Sequence, residues 1–221
     1  MNKIITSRAG DALVTLQEPI EHLQEFWQRG QFFEQRLLEY IYWHYKGGTF
    51  VDVGSAIGNH SLFFAKFCEP QWVVSIEPVL SSVERQREIY GLNHVAGKVH
   101  IHNVALSDKP GTGKMIPFAN HNLGQFQLVP GDEVPVETLD RIVALEQPKR
   151  VTLVKIDVEG HELRVLMGAA GTLTRYRPAL FIEIRSKSSY AGVTAFLEPF
   201  GYRQVGSVFQ DATVFEFTVG G

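Results

Sequence analysis

Cysteine is almost absent from this 221-residue chain, which contains only Cys68. A single cysteine cannot form an intramolecular disulfide or a cluster of thiolate ligands around a metal ion. Long apolar runs are missing too: no stretch reaches the roughly 18 residues that a membrane-spanning helix requires, and residues 1–10 lack the apolar stretch of a signal peptide. We therefore predict a cytoplasmic protein with no membrane partner.

Neither sign of charge dominates, since the formal net charge is -3 and the basic residues are dispersed along the chain. This dispersal argues against a large nucleic-acid footprint, so we expect a small-molecule partner and no nucleic acid. A hydrophobic content of 44% over 221 residues suits a single domain with one buried core. The sequence does not indicate an oligomeric state.

Strand-like apolar runs alternate with segments of helical periodicity. Two final runs are predicted to form an antiparallel pair around a turn near Gln210 and Asp211. This order requires right-handed crossovers and a largely parallel α/β sheet with helices on both faces. Residues 1–48 are predicted to be an N-terminal helical segment packed on a core formed by residues 49–221. Helices are predicted over residues 24–45 (one helix, or two broken near Gly30), 59–67, 81–90 and 162–175, and strands over 49–53, 72–76, 99–106, 151–158, 179–184, 202–209 and 213–219.

The most informative segment is Phe50-Val51-Asp52-Val53-Gly54-Ser55-Ala56-Ile57-Gly58-Asn59-His60-Ser61, in which an apolar strand runs into a glycine-bearing turn and a helix start. Its glycines are four residues apart, whereas a dinucleotide site needs Gly-x-Gly-x-x-Gly to bring the backbone close to a pyrophosphate. A different adenosine ligand is indicated, and S-adenosylmethionine (SAM) fits because it has no phosphate to bind. A Cβ at either glycine would occupy ligand space; alternatively, the glycines only mark the start of the helix.

The carboxylate Glu77 ends the second predicted strand about twenty residues beyond the turn, where an acid can accept hydrogen bonds from both ribose hydroxyls. The end of the third strand is the expected adenine wall, with Asn103 or the pair Ser107-Asp108 able to meet the exocyclic amine. The residues predicted to bind SAM are Asp52, Gly54, Ser55, Ala56, Gly58, Asn59, His60, Ser61, Glu77, Pro78, Asn103, Val104, Ala105 and Asp157.

Five segments together resemble the FkbM family of SAM-dependent methyltransferases in their order and approximate spacing, from about Phe33 to Ile184. At Ser55-Ala56 the chain departs from the family, which usually has Ala-Asn there. The resemblance implies a class I methyltransferase (Rossmann-like) fold of seven strands with the last antiparallel. It also implies transfer of a methyl group, commonly to a hydroxyl oxygen of a sugar or natural product. The segments are FVDVGSAIG (50–58), IEP (76–78), NVALSD (103–108), VETLD (136–140) and KIDVEGHE (155–162).

Lys155, Asp157 and Glu159 alternate at the predicted end of the fourth strand, so an extended backbone would place their side chains on one side, about 6.6 Å apart. The pattern continues to His161. Ligands of open parallel sheets bind beyond the carboxyl ends of the strands, near the switch in strand order, so these side chains are expected to face the reacting methyl. We predict a catalytic group of Asp157 or His161 as the base, Glu159 as an orienting or hydroxyl-binding residue, and Lys155 as a charge partner. The alternative is a salt-bridged strand end that caps the next helix.

The irregular stretch 107–134 is rich in glycine, proline and asparagine, and it is too long to be a plain connection. Within it, residues 110–130, around Asn120-His121-Asn122-Leu123-Gly124, are predicted to form part of the acceptor wall and to move when ligand binds. The alternative is a surface hairpin unrelated to catalysis.

Two further patterns bear on the cofactor. His100 and His102 alternate on the third strand, but no carboxylate is clearly placed to complete a metal site, so no metal is predicted. An NAD-dependent oxidoreductase is an alternative function that the missing central glycine of the turn disfavours. A non-catalytic SAM-fold binding module is another, and it would lack the polar end of the fourth strand that this sequence has.

Overall fold

The computed structural model describes residues 1–17, 22–117, 126–209 and 213–220. None of the helices described is long and apolar enough to cross a membrane. The strands are β1 (Asn2–Ser7), β2 (Gly10–Thr15), β3 (Thr49–Val53), β4 (Trp72–Ile76), β5 (Val99–His102), β6 (Ala105–Leu106), β7 (Gly111–Pro117), β8 (Phe126–Pro130), β9 (Val134–Glu137), β10 (Val151–Ile156), β11 (Ala179–Glu183), β12 (Tyr202–Phe209) and β13 (Val214–Val219). The helices are α1 (His22–Gln28), α2 (Gln35–His44), α3 (Asn59–Phe67), α4 (Leu80–Leu92), α5 (Leu139–Glu146), α6 (Glu162–Met167), α7 (Ala170–Tyr176) and α8 (Lys187–Leu197).

A seven-stranded sheet forms the centre of the molecule, in the order β12-β13-β11-β10-β3-β4-β5. The five strands from β11 to β5 are parallel, whereas β13 runs antiparallel to both of its neighbours. From β3 the chain proceeds to β4 on one side and later returns to β10 on the other. The predicted Rossmann-like sheet with an antiparallel last strand is confirmed, and its strand order switches between β3 and β10, where such sheets bind ligands.

The central strands are buried because helices cover both faces of the sheet. Every residue of β3, β10 and β11 is buried, which explains why these strands read as nearly continuous apolar runs. One core cluster, which includes Ile5, Trp27 and Phe63, packs the N-terminal elements and α3 against the sheet. A second cluster, which includes Leu139 and Val193, packs the helices of the C-terminal half.

The first 48 residues are less helical than predicted, because they begin with the antiparallel hairpin β1-β2. Its side chains alternate: Ile5 and Val14 are fully buried in the core, whereas Ile4 and Leu13 are exposed. Such a period of two is a strand signal. α1 and α2 follow as two separate helices, which was one of the two predicted alternatives. The division of the chain at residue 48 stays a prediction.

The predicted third strand is interrupted, because β5 and β6 belong to different sheets. At the interruption, the Asn103 side chain donates to the carbonyls of Glu77 and Pro78, over 2.8 and 2.9 Å, and holds the chain against the end of β4. β6 belongs to a small sheet in the order β6-β9-β7-β8. Most of the described part of the stretch 107–134 therefore lies in strands rather than in irregular structure. Its residues 118–125, which include the predicted core 120–124, lie outside the described residues.

The predicted fourth strand is shorter than expected, since β10 ends at Ile156 rather than at residue 158. Beyond it, Glu159 and Gly160 have positive φ angles of 51° and 92°. The alternation that would have placed Glu159 beside Lys155 therefore does not apply, and the loop sets the direction of the Glu159 side chain.

Two helical predictions also need correction. The helix expected over 162–175 is divided into α6 and α7, and at the division Gly168 packs so closely that a Cβ there would lie 2.2 Å from the Ser107 carbonyl oxygen. α5 was not predicted, and Thr138 caps its N-terminus, where the Thr138 side chain accepts from the backbone N–H of Arg141 over 3.2 Å. The predicted pair β12-β13 is confirmed; the turn near residues 210 and 211 lies outside the described residues.

Candidate active site

A pocket opens beyond the carboxyl ends of β3, β4, β10 and β11, where the strand order switches. It joins the two predicted ends of the site, the glycine turn and the end of the fourth strand. Of the predicted site residues, the pocket is lined by Gly54, Ser55, Ala56, His60, Glu77, Pro78, Val104, Ala105, Asp157, Glu159 and His161. Those outside the lining are Asp52, Gly58, Asn59, Ser61 and Asn103.

The turn after β3 is tightly packed against the protein itself. Gly54 and Gly58 have positive φ angles of 77° and 88°. A Cβ at Gly54 would lie 1.8 Å from the carbonyl oxygen of Asp157, and one at Gly58 would lie 2.5 Å from the hydroxyl of Tyr90. Internal packing and backbone conformation thus require glycine at both positions. The prediction gave a different reason, namely that a Cβ would occupy space needed by a ligand.

Glu77 stands at the end of β4, where it is 6% exposed and lines the pocket. Its Oε2 accepts from the backbone N–H of Ala56 over 2.9 Å, and its Oε1 accepts from that of Val79 over 2.8 Å. These bonds fix the carboxylate relative to the turn. Carboxylate oxygens accept more than one hydrogen bond each, so this anchoring is compatible with further bonds to ligand hydroxyls.

Three of the predicted residues support the turn from the protein interior. Asn59 Oδ1 accepts from the indole N–H of Trp27 over 3.0 Å and from the backbone N–H of Phe33 over 3.1 Å. Ser61 donates to the Asp52 carboxylate over 2.7 Å. These bonds fasten α3 to the N-terminal segment and to β3, and they leave the three side chains outside the pocket wall.

The N-terminal segment also reaches the pocket directly. His60 Nε2 lies 2.7 Å from Oε2 of Glu34, and both side chains are buried. Glu34 precedes α2 with a positive φ of 53°, and its neighbour Phe33 lines the pocket together with Leu23. The sequence carried no signal for this contribution, because these residues belong to a helical segment whose docking site cannot be read from periodicity.

Lys155 and Asp157 form an ion pair at the end of β10, with Nζ 3.1 Å from Oδ2. Burial alone would lower the pKa of Lys155, but the charges of Asp157, Glu34 and Asp52 outweigh it and raise that pKa. Burial acts in the opposite sense on the carboxylate, where the Lys155 charge prevails and lowers the pKa of Asp157 to about 2. Both groups are therefore ionised at neutral pH.

Glu183 and Arg185, at the end of β11, line the same pocket and were not predicted. Arg185 pairs with Glu183 over 2.8 Å and also with Glu159. Burial, with the charge of Asp157, raises the pKa of Glu183 to about 8 and that of Glu159 to about 7. Glu183 and Arg185 alternate at a strand end as Lys155 and Asp157 do, so the same argument could have found them.

His161 lies in the loop before α6 and is half-buried in the pocket wall. Its Nε2 lies 2.9 Å from Oγ of Ser107, which donates to Oδ1 of Asp108 over 2.9 Å. Asp108 in turn pairs with Arg164 over 3.1 Å. Burial and the charge of Arg164 lower the pKa of His161, so the imidazole is neutral at neutral pH.

Apolar side chains from the small sheet close another side of the pocket. Met115 of β7 and Leu128 of β8 are register partners, and both line the pocket together with Phe126. The predicted segment 110–130 thus contributes to the wall through its two described strands. Its movement on ligand binding stays a prediction.

The histidine pair of the third strand lies away from this pocket. His100 Nδ1 and His102 Nε2 lie 2.5 and 2.6 Å from the two carboxylate oxygens of Glu146, at the end of α5. No carboxylate was predicted beside these two histidines, because α5, which carries Glu146, was not predicted. Burial alone would raise the pKa of Glu146, but the hydrogen bonds and charges of the two histidines outweigh burial and lower that pKa.

The sequence matches the family described as methyltransferase FkbM domain over residues 52–204. No curated protein is significantly similar to it in sequence. Among solved structures, methyltransferase FkbM from Methylobacillus flagellatus KT is similar, with a TM-score of 0.57 and 20% identity. That match covers 77% of this chain and 43% of the other, so this chain spans less than half the length of that relative.

Two further solved structures share the architecture. A protein of Streptococcus pneumoniae that is proposed to be a tRNA (m1A22) methyltransferase has a TM-score of 0.54 and 13% identity, over 84% of this chain and 70% of the other. The O-methyltransferase from Bacillus cereus in complex with SAH has a TM-score of 0.51 and 11% identity, over 85% and 80%. At such identities these structures show the fold alone, which is the Rossmann-like fold of methyltransferases.

The family match covers most of the chain. It includes the glycine turn, Glu77 and the loop from Asp157 to His161, which are the parts that meet in the pocket. The resemblance found in the sequence is thereby confirmed, and the chain belongs to the FkbM methyltransferase family.

Proposed function

We propose that this chain is a SAM-dependent methyltransferase that methylates a hydroxyl oxygen of a small molecule or sugar-containing natural product. The observation that carries the proposal is a single pocket with two chemically different ends. One end has the turn and Glu77, and the other has Asp157, Glu159 and His161. The first suits an adenosine ligand, and the second suits a polar acceptor that must lose a proton. The expectation that nucleic acid is not a partner rests on the dispersed basic residues and stays a prediction.

The residues at the adenosine end suit the groups that SAM would present there. Glu77, fixed by two backbone N–H groups, would accept the ribose hydroxyls, as acids at this position of doubly wound sheets do. Pro78, Val104 and Ala105 line the same end and offer apolar contact to an adenine ring. The turn at residues 54–57 would lie along the amino-acid tail, which carries no phosphate.

SAM, when bound, supplies a methyl group that its sulfonium already activates. The protein must then orient the acceptor, which can supply about 7 to 11 kcal/mol, and remove its proton, which is worth about 10²- to 10⁴-fold. Ionised Asp157 would accept a hydrogen bond from the acceptor hydroxyl and orient its oxygen, with Glu159 available to a second hydroxyl. Neutral His161 would take the proton on a ring nitrogen, because a carboxylate with a pKa of about 2 is a much weaker base.

Calorimetry with SAM and with its demethylated product, S-adenosylhomocysteine, tests the proposal. We expect saturable binding of both. Glu77→Gln should weaken it by about 1.5 to 3 kcal/mol for each charge-assisted hydrogen bond lost, less whatever water restores. Glu84→Gln changes an exposed glutamate of α4 in the same way and should bind like the wild type. Binding of NAD with no binding of SAM would overturn the proposal.

A further inference from the structure

The hydrogen bonds around His161 have a direction that the chemistry of Ser107 and Asp108 determines. An ionised carboxylate can only accept hydrogen bonds, and a serine hydroxyl has a single proton to donate. The bonds from Ser107 and Arg164 lower the pKa of Asp108, so this carboxylate is ionised at neutral pH. The Ser107 proton therefore points to Asp108, over 2.9 Å. Its oxygen must then accept the proton of the neighbouring imidazole Nε2, over 2.9 Å.

The opposite arrangement is unfavourable. If Ser107 donated to the imidazole, its oxygen and the Asp108 carboxylate would face each other at 2.9 Å with no proton between them. A close pair of acceptors without a shared proton leaves both unsatisfied, which costs free energy. The network thus selects one neutral tautomer of the imidazole.

We propose that Ser107 and Asp108 are positioning residues that hold His161 as its Nε2–H tautomer, so that Nδ1 is the nitrogen that takes the proton of the acceptor hydroxyl. The catalytic consequence rests on the proposed function. The transferred proton would pass from the hydroxyl oxygen to Nδ1 as that oxygen bonds to the methyl carbon and the bond from this carbon to the SAM sulfur breaks, its electron pair going to the sulfur. The imidazolium would keep its Nε2–H bond to Ser107. Asp108 would then stabilise the positive charge through the serine.

The positions of these residues suit such a role. Neither Ser107 nor Asp108 lines the pocket, so their side chains are available to hold His161 rather than to meet an adenine, as the sequence had suggested for this pair. The Ser107 backbone is held from two sides: its N–H donates to the Glu137 carbonyl over 2.9 Å, and its carbonyl packs against Gly168. The charged groups that face His161 are Asp108 and Arg164, of opposite sign. A rigid support of this kind keeps a reacting group in one orientation.

Nitrogen NMR of the free protein, with ¹⁵N-labelled histidine, tests the tautomer without SAM or an acceptor. His161→Gln identifies the resonance, and spectra are recorded above the pKa of the imidazole. In the wild type we expect a protonated Nε2 and an unprotonated Nδ1. In Asp108→Ala the hydroxyl proton of Ser107 is released and can turn to Nε2, so the population should shift towards the Nδ1–H tautomer. Ser107→Ala should give a mixture, and Ser188→Ala, an exposed serine of α8, should match the wild type.

Two results would overturn the proposal: a wild type with Nδ1 protonated, or an Asp108→Ala protein whose tautomer is unchanged. The Asp108 side chain is 23% exposed, so this variant decides the matter even where Ser107→Ala does not fold. Because the measurement uses the free protein, it is independent of the calorimetric test of SAM binding. A failure of one is therefore distinguishable from a failure of the other.

Discussion

The close packing of Gly54 links the two ends of the pocket. The turn that carries Gly54 rests on the backbone of Asp157, and Asp157 N–H donates to the carbonyl of Val53 over 3.0 Å. One contact between neighbouring strands would thus position both a ligand at the turn and an acceptor at the end of β10. The small size of the glycine is what permits this contact.

Alanine substitutions at Gly54 and Gly160 distinguish the energetic cost of losing this close contact from the cost of backbone strain. Gly54→Ala and Gly160→Ala both place a Cβ at a positive φ, of 77° and 92°, but only the first meets backbone atoms within 4 Å. Gly160→Ala should cost about 1–2 kcal/mol in unfolding free energy. Gly54→Ala adds overpacking, which costs about 1–3 kcal/mol or more. Urea denaturation measures both, and equal losses would show that the contact with Asp157 is unimportant.

Loss of the Asp157 charge should affect turnover and leave cofactor affinity nearly intact. We expect Asp157→Asn and His161→Ala each to lower the rate of methyl transfer by about 10²-fold or more, the range of acid-base catalysis. SAM affinity should change little, because we propose that both side chains act on the acceptor. Labelled SAM with an acceptor found by screening gives the rate, and calorimetry gives the affinity. Full activity in both variants would mean that the end of β10 is structural.

Single residues differ in how far the sequence alone placed them. Glu77, Asp157 and His161 could be placed in the pocket because the carboxyl ends of parallel strands meet at one edge of the sheet. Asn59 and Asn103 could not, since a polar side chain beside a turn is equally able to satisfy backbone groups of a distant segment. Whether such a side chain faces a pocket or binds a distant backbone group depends on tertiary packing, which a local sequence pattern does not predict.

Among the elements, β7 and β8 form the part of the pocket that depends least on the central sheet. They pair with each other and join the small sheet through β9, while Met115 and Leu128 contribute apolar wall. A wall built on an antiparallel pair can shift without disturbing the parallel strands that carry Glu77 and Asp157. This arrangement suits a surface that adapts to the ligand.

Hydrogen exchange should detect such an adaptation. With saturating S-adenosylhomocysteine, and more strongly once the acceptor is added, amides of residues 111–117 and 126–130 should gain protection. The reason is that ligand contact with Met115 and Leu128 would oppose local opening of the pair. The hairpin β1-β2, whose residues do not line the pocket, serves as an internal control and should not change. Unchanged exchange in β7 and β8 at saturation would contradict a mobile wall.

Two of the strands that were not predicted differ in the signal that they carry. β7 has two glycines and a proline in seven residues, so its partners rather than intrinsic preference stabilise it. β1 does carry a strand signal, in its β-branched residues and its alternating burial. The buried parallel strands were predictable because burial on both faces demands apolar runs. The extent of β10 was not, since its end is set by the loop conformation at Glu159 and Gly160.

Across the whole molecule, the pocket concentrates charge that is otherwise dispersed. Three carboxylates meet there, those of Asp157, Glu159 and Glu183, and one oxygen of each lies within 4.8 Å of the others. Two cations pair with them, Lys155 with Asp157 and Arg185 with both glutamates. Three carboxylates and two cations cannot all be ionised cheaply in a buried site. The pKa values of the two carboxyls move apart instead: that of Asp157 is lowered to about 2, which keeps it ionised at neutral pH, and that of Glu183 is raised to about 8, which keeps it protonated.

This arrangement makes the stability of the fold depend on pH through Glu183. Its pKa is about 8 in the folded protein against an ordinary value of 4.5, so the folded state holds a proton that the unfolded state releases. The free energy of unfolding should therefore fall as the pH rises from about 4.5 to about 8, and change no further above that. Glu183→Gln imitates the protonated carboxyl and cannot titrate. Its free energy of unfolding should match that of the wild type near pH 4.5 and exceed it by roughly 4 to 5 kcal/mol at pH 8 to 9, because each unit of pKa shift is worth about 1.4 kcal/mol.

Denaturation at a series of pH values measures this difference directly. Glu84→Gln, an exposed glutamate of α4, is the control and should differ from the wild type by an amount that does not vary with pH over this range. The difference between variant and wild type removes the contribution of titrating groups that do not interact with Glu183. Of its neighbours, Asp157 stays ionised over this range, because its pKa is about 2 and its stabilising effect is lost only as the pH falls towards 2. Glu159, with a pKa of about 7, titrates in the same range and shares Arg185 with Glu183, so the measured difference includes its response. A pH-independent difference for Glu183→Gln would show that folding does not raise the pKa of Glu183, so that this carboxyl is ionised beside Arg185 at neutral pH.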